Sequence, residues 1–498
     1  MAKTNEFEQA TDEITRGMRR NFVDFPIESN LHYRYTSAED LLDKPEIICE
    51  MIMDHHNNQV PRLAVLDDYY KARNTNIRQN DRRKEPEKAD HRAAHNWGKI
   101  LCTFDVGYST GNAIKISADD KSQQEAINEF NTNNDIDGLN GELWLDMDKY
   151  GRAYEGIFRN EDDEDEAYLC NVFETFIVYD TSIKRKPIMA VRYPKTRFSS
   201  HADQSYVQPT VYTADKVITY KESTMSALKL EDPKEEEHGY QEVPITEYSP
   251  NRFRMGMYED ALSLIDLYDA AQSDTANYMT DLNDALLVIS GDIEASGIST
   301  EEGIAQKNAN MLLLESAIDV NGNKTSVNAE YIYKQYDVNG VEAYKNRIHD
   351  NIHEIAMIPD LTDQSFSGTQ SGEAMKYKLF NFEQMTANKQ RSFKKGLTRR
   401  YRLLFNIKQA VSDLTNSDIK GLQIRFTPNM PKAVLDELKA LVDSGAEISQ
   451  ETMLGLASFI DDVPAEMDRV KEADSTQGVL TLPDAYKKVT ETDEPKEE

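Results

Sequence analysis

Between Met255 and Gln409 the chain reads as a helix, a strand-bearing insert, a second helix, a polar loop of small residues and a long basic helix. That order excludes most common folds. Over Met255–Leu282 apolar residues recur at Met257, Ala261, Leu264, Ile265, Tyr268, Ala271, Tyr278, Met279 and Leu282. Intervals of three and four put these on one face of an amphipathic helix. Val341, Tyr344, Ile348, Ile352 and Ile355 repeat the pattern up to Ile358-Pro359, where proline disfavours a helical predecessor. Pro359–Gly372 has neither Lys nor Arg and no helical period. Glu373–Gln409 has few breakers apart from Gly396 and, as one helix, spans about 55 Å.

Charge is segregated along this stretch. From Met255 to Gln306 there is no Lys or Arg against eleven acids: Glu259, Asp260, Asp266, Asp269, Asp274, Asp281, Asp284, Asp292, Glu294, Glu301 and Glu302. From Lys376 to Lys408 ten cations face only Glu383. A solvated helix ordinarily mixes both signs, because i,i+4 pairs help and like charges repel. The segregation points to a purpose for the run, although any single acid is more simply a solvated side chain.

The whole chain carries a net charge of −31, from 57 Lys and Arg against 88 Asp and Glu. That disfavours gripping phosphates over the entire surface but leaves one local nucleic-acid site open. Its 498 residues allow about three domains. Cys49, Cys102 and Cys170 are odd in number and widely spaced, which fits a reducing compartment better than a disulfide scaffold. No apolar signal core opens the chain and no apolar run reaches bilayer length, so we expect a soluble protein made in a cytoplasm, with no membrane partner.

Ahead of the helical stretch, residues 1–36 read as a partly flexible segment and 37–254 as an α/β block. Helices are expected at Pro45–His56, Pro61–Lys71, His95–Val106, Gln123–Asn131 and Asn140–Tyr150, with Gly107–Ile114 as a turn. The basic segment Arg73–His91 reads as a solvated loop. From Tyr154 the period becomes two, giving strands over Glu155–Arg159, Ala167–Tyr179, Ile188–Tyr193, Tyr206–Thr213 and Lys216–Lys221. Glu161–Glu166 fits a hairpin tip, and Leu228–Gln241 a polar loop. In the insert, Ala285–Ser290 and Tyr331–Tyr336 read as strands and Ile304–Ala309 as a helical turn. Gly421–Phe426 is a strand, and Val434–Val442, Gln450–Phe459 and Ala465–Ala473 are short helices before a charged tail from Ser475.

Catalytic signatures are missing. There is no Gly-x-x-x-x-Gly-Lys-Ser/Thr loop and no Gly-x-Ser-x-Gly elbow. His349 with His353, and His91 with His95, are four apart and can share a helix face. Neither pair has a cysteine or an obvious third ligand at motif spacing, so no metal, cofactor or catalytic residue is assigned.

Several stretches resemble the portal proteins of tailed bacteriophages, in the group from long-tailed phages of Gram-positive hosts. They are Asp68-Tyr-Tyr-Lys71, Gly107-Tyr-Ser-Thr-Gly-Asn112, Tyr179-Asp-Thr-Ser-Ile-Lys-Arg-Lys-Pro187 with Val191-Arg-Tyr193, Leu264-Ile-Asp-Leu-Tyr268 with Gln272-Ser-Asp-Thr-Ala-Asn277, and Ser371-Gly-Glu-Ala-Met-Lys-Tyr-Lys-Leu379 with Phe393-Lys-Lys-Gly-Leu397. The similarity as a whole spans about residues 60 to 470, and the order of these pieces carries more weight than any one of them.

The resemblance implies an α+β portal fold and a non-enzymatic ring, usually of twelve copies, at one capsid vertex of the virion, assembled in the host cytoplasm. Mapped onto this chain, 37–254 is the α/β wing, 255–282 and 341–358 the two-helix stem, and 283–340 a strand-bearing clip. Residues 359–372 are the tunnel loop, 373–431 a long kinked helix returning to the wing, 432–474 a helical crown and 475–498 a flexible tail. Double-stranded DNA would pass through, touching Thr362, Gln364, Ser365, Ser367, Thr369 and Gln370 of the loop. Acids facing the channel, with Glu259, Asp266, Asp269, Asp274 and Asp281 as candidates, would oppose a phosphate grip. For the basic helix, with Lys394, Lys395, Arg399 and Arg400 as candidates, two readings stand: neutralising acids between subunits, or forming one attractive ring. Implied partners are the terminase large-subunit ATPase, a head-completion adaptor at the clip, and the major capsid and scaffolding proteins. The alternatives are a capsid scaffold or adaptor that forms no pore, and a metal-dependent DNA-processing enzyme.

Overall fold

The computed structural model describes residues 25–78, 89–197, 205–281, 286–291, 311–315, 328–332, 337–360, 372–429, 466–467 and 469–471. Contacts divide the chain into one unit over Met1–Thr427 and a second over Pro428–Glu498. In the second, Glu466, Met467 and Arg469–Lys471 are helical. The candidate tunnel-loop residues, the turn at Ile304–Ala309 and the helices at Val434–Val442 and Gln450–Phe459 lie outside the described residues.

The first unit opens with β1 (Tyr33–Arg34) and α1 (Ala38–Leu42), which starts at Ser37, whose side chain accepts the Asp40 N–H at 3.1 Å. Next come α2 (Pro45–Asp54) and α3 (Val60–Tyr70). Sequence periodicity suggests two separate helices, but His55–Gln59 joins them as a π turn. Pro61 has no N–H to donate, and a wider turn accommodates the missing bond without ending the helix. The helix α4 (Trp97–Thr110) runs straight through Gly107, where a turn was expected. Ser109 and Thr110 return their hydroxyls to Asp105 and to the Val106 carbonyl, both at 2.8 Å. The strand β2 (Lys115–Ser117) leads to α5 (Lys121–Asn133) and α6 (Ile136–Tyr150). Gly151 ends α6 at φ 74°, and a Cβ there would sit 2.0 Å from the Arg254 carbonyl oxygen, so only glycine fits.

Strands then dominate: β3 (Ala153–Arg159), β4 (Asp165–Cys170), β5 (Thr175–Tyr179), β6 (Pro187–Arg192), β7 (Lys195–Arg197), β8 (Tyr206–Val207), β9 (Thr210–Tyr212), β10 (Lys216–Thr219), β11 (Ser223–Thr224), β12 (Lys234–Glu237) and β13 (Ile245–Tyr248). The run Ala167–Tyr179 is two strands rather than one, because Asn171 turns the chain and accepts the Phe173 N–H at 3.0 Å. The span expected as a polar loop contains β12, an all-exposed Lys-Glu-Glu-Glu edge strand pairing with β10. Its register sets Glu235 against Ile218, and Lys216 reaches the Glu235 carboxylate at 2.9 Å, so charge specifies an edge that no apolar pattern announces. The main sheet runs β1-β5-β6-β9-β10-β12, with Leu41, Ile48 and Ile52 packed on Phe176, Val178, Met189 and Val211.

The rest of the unit supplies α7 (Leu262–Asp281), β14 (Leu286–Gly291), β15 (Met311–Glu315), β16 (Asn328–Ile332), α8 (Val338–Ala356), α9 (Gly372–Ala410) and β17 (Gln423–Arg425). The insert strands form their own sheet, ordered β15-β14-β16, and β17 pairs with β2. A second core gathers α5, α6 and α9 through Phe130, Leu143, Trp144, Met147, Phe393, Leu397, Tyr401 and Leu404. No helix among the described residues is long and apolar enough to cross a membrane.

Candidate functional site

The acid-rich helix α7 presents Asp266, Asp269, Ser273, Asn277 and Thr280 at helical spacing, and this polar stripe faces the subunit's own chain. The Tyr69 hydroxyl donates to Asp266 Oδ1 at 2.5 Å. Asp269, fully buried, accepts from the His95 N–H at 3.0 Å, from His95 Nδ1 at 2.7 Å and from the Asn74 amide. Ser273 accepts the Ala93 N–H at 2.9 Å, and Asn277 the His91 N–H at 2.6 Å. The stripe therefore holds the irregular segment before α4 in place, satisfying backbone donors that no ladder serves. Just ahead of α7, Glu259 takes a bidentate grip from Arg62, whose Nε lies 2.8 Å from Oε1.

These positions correct the expectation for three acids. Glu259, Asp266 and Asp269 are turned inside their own subunit, and a group buried in one chain stays buried in any assembly of it. Asp274 is exposed, and the side chain of Asp281 lies outside the described residues. The acids are there because a buried carboxylate can accept several N–H and O–H donors at once. Burial pushes the Asp266 carboxyl up to about 6, with nearby Asp269 adding to the effect. A folded value above the unfolded one gives stability that is present below about pH 4 and lost as pH rises through about 6. Asp266→Asn should therefore flatten part of the alkaline slope, by on the order of 2 kcal/mol between pH 4 and 8, in chemical denaturation compared with wild type. An unchanged slope would show that Asp266 is ionised without strain.

The helix α8 starts where Asp337 accepts the Gly340 N–H at 3.0 Å and packs on α7, with Ile348, Ile352 and Ala356 buried and Lys345 reaching Gln272 at 3.2 Å. It stops one residue before Met357, which turns left-handed at φ 56°. Near this end Trp97 sets its ring against His349, His353 and Tyr268, at 5.2, 5.4 and 5.7 Å between centroids. Tyr344 and Ile355, eleven positions apart and so on one face, remain about half exposed.

The basic helix α9 runs unbroken over 39 residues, and five of its cations meet acids within the subunit. Lys389, buried, lies 2.6 Å from Asp105 and 2.7 Å from Asp148. Arg400, fully buried, holds Glu155 at 2.6 Å and Asn140 at 2.8 Å. Arg399 donates to the Val243 carbonyl at 2.7 Å and shares Glu242 with Arg402. Lys408 lies within 3.8 Å of Glu129, Asp165 and Asp413. Lys394 and Lys395 are exposed. Both readings of the basic helix thus fail for Arg399 and Arg400: they neutralise acids, but acids of their own chain, Glu242 and Glu155. The acids that Lys389 and Arg400 meet, Asp105, Asp148 and Glu155, carry no sequence signal: Asp105 is a single charge inside an apolar helix, Asp148 one of several mixed charges, and Glu155 an isolated acid at the start of a strand.

A two-helix element with a strand insert, followed by a long helix that keys back into a mixed α/β body, defines the class of protein. The chain matches the family described as "Phage portal protein, SPP1 Gp6-like" over residues 50–478 and belongs to that family. It is similar to the portal protein of Bacillus phage SPP1, with 22% identity over 462 residues and 88% of each chain covered. Among solved structures it resembles a chain from the neck of an empty GTA particle computed with C6 symmetry, at 11% identity and TM-score 0.40, covering 73% of this chain and 90% of that one.

Proposed function

We propose that this portal-family chain forms a homo-oligomeric ring at one capsid vertex, the channel through which double-stranded DNA enters and leaves a phage head. In this reading α7 and α8 are the stem, the β14–β16 sheet the clip, residues 359–372 the tunnel loop and residues 432–474 the crown. The terminase large-subunit ATPase and, later, a head-completion adaptor dock on the ring, which itself contacts capsid and scaffolding proteins. The energy of packaging comes from the separate ATPase, consistent with the missing phosphate loop in this sequence. The role is structural rather than enzymatic.

One observation carries the assembly. Large apolar side chains stand uncovered on the three helices concerned: Leu267 and Met279 on α7, Tyr344 and Ile355 on α8, Tyr377 and Phe380 on α9, between 45% and 82% exposed. Each would contribute about 1.5–3 kcal/mol when covered by a neighbouring copy. Tyr344→Arg with Ile355→Arg should break rings into single chains while leaving the fold intact, since neither side chain belongs to the subunit's own core. Light scattering on the purified protein reads this directly, and a variant that keeps its ring mass would count against these faces as the contact.

Sliding then rests on the missing cations between Met255 and Gln306, not on the three buried acids. Without Lys or Arg facing it, a duplex loses little counterion-release affinity by moving on. Negative-stain images of the purified protein test the reading: rings with a duplex-wide hole support it, and particles no larger than dimers across a range of salt sink it in favour of a scaffold or adaptor. Shortening residues 362–369 should preserve rings but impair packaging or DNA retention. Normal packaging by that variant would remove the loop from the mechanism.

A further inference from the structure

The last two turns of α8 and the residues just after it bring His349, His353 and Asp360 together, one donor atom of each within 4.8 Å of the others. Sequence spacing showed the two histidines but no third ligand. Asp360 arrives because Met357 turns left-handed and Ile358-Pro359 folds the chain back along the helix. His353 Nδ1 donates to the Ile358 carbonyl at 3.0 Å, which leaves Nε2 as the nitrogen with the lone pair. His349 Nδ1 lies 3.5 Å from the Asp350 carboxylate, and its Nε2 faces Asp360 Oδ2 at 3.9 Å. Both imidazoles are thus oriented from behind by an oxygen acceptor, as histidines that bind metals ordinarily are. Trp97 supports both rings, whose centroids are 4.8 Å apart. The 3.9 Å gap is too long for a hydrogen bond, and an ion bound at about 2.0–2.2 Å from each donor would need only a modest inward shift of partly exposed groups.

We propose that His349, His353 and Asp360 bind a divalent transition metal, with Zn(II) the best match to two imidazoles and one carboxylate. Calcium and magnesium are disfavoured, since they take all-oxygen sets. The ion fastens residue 360 to the end of α8, and its fourth position is open to water or to a group from outside the chain. This site stands independently of the ring and of DNA passage.

Full-length protein stripped with a chelator would be titrated with Co(II) alone, reading visible d–d absorption, and with Zn(II) alone, by calorimetry against a competing chelator. We expect one ion per chain, and at least tenfold weaker binding in Asp360→Asn and in His349→Gln/His353→Gln. His56→Gln, outside the cluster, should bind as wild type does. Asp360→Asn changes a partly exposed residue beyond the helix, so it decides the matter even if the double variant misfolds. No Co(II) absorption in wild type, or equal ion binding in wild type and Asp360→Asn, overturns the proposal.

Discussion

Replacing Lys389 with methionine should destabilise the subunit by about 3–5 kcal/mol, and by more at pH 8 than at pH 5. Among the described residues, Lys389 is the one cation touching Asp105 and Asp148, both fully buried. Burial pushes the Asp148 carboxyl well up, and the charge on Asp105 adds to this. For Asp105 burial acts the same way, but the Lys389 charge and hydrogen bonds outweigh it and hold the group below its ordinary value. The triad is thus nearest to neutral with one carboxylate, one ammonium and a proton kept on Asp148. In wild type the Asp105 contribution is present above its unfolded value and lost as pH falls through the lower folded one. Without the ammonium both carboxyls are raised, so ionising them costs stability that acidification restores. Calorimetric melting of wild type and variant at the two pH values measures this, and a penalty independent of pH would mean that the lysine acts only by filling space.

Arg400→Met should cost a similar 3–5 kcal/mol, because among the described residues it leaves Glu155 in the core with the Tyr248 hydroxyl, at 2.6 Å, as its remaining partner. Substituting both members, Arg400→Met with Glu155→Leu, should recover much of that loss, since burying two charges costs nearly what their attraction returns. A double-mutant cycle in denaturant gives the coupling directly. The same variants separate two roles for the basic helix. If Arg400 served DNA, the single substitution would spare stability and weaken binding; a loss below about 1 kcal/mol would reopen that role.

Much of the architecture was readable from residue order because it is a local property. Apolar intervals of three and four place α8 to within a few residues and α7 except for its start, which comes at Leu262 and not Met255; the scarcity of breakers places α9, and alternation places most strands between residues 153 and 248. The misses have particular causes. The edge strand β12 has no apolar residue to alternate, and the π turn at His55–Gln59 hides inside an unbroken helical pattern. Gly396 reads as a weak point in a long helix, yet a Cβ there would lie 2.2 Å from the Tyr248 ring, so the gap is where another element enters. At the candidate site the limit is sharper: the acids and cations are plain to see, and their direction is not.

Periodicity, charge segregation and the order of segments were enough to establish helix-insert-helix, a family resemblance and the absence of a phosphate loop, since each depends on neighbours along the chain. Which charge meets which was decided by folding alone. Lys389 lies 284 positions from Asp105, and Asp269 lies 174 from His95, so nothing local links them. An ionised group in a dry interior must find a partner at whatever sequence distance the packing brings one, and that requirement turned a supposed channel lining into the joints of a single subunit.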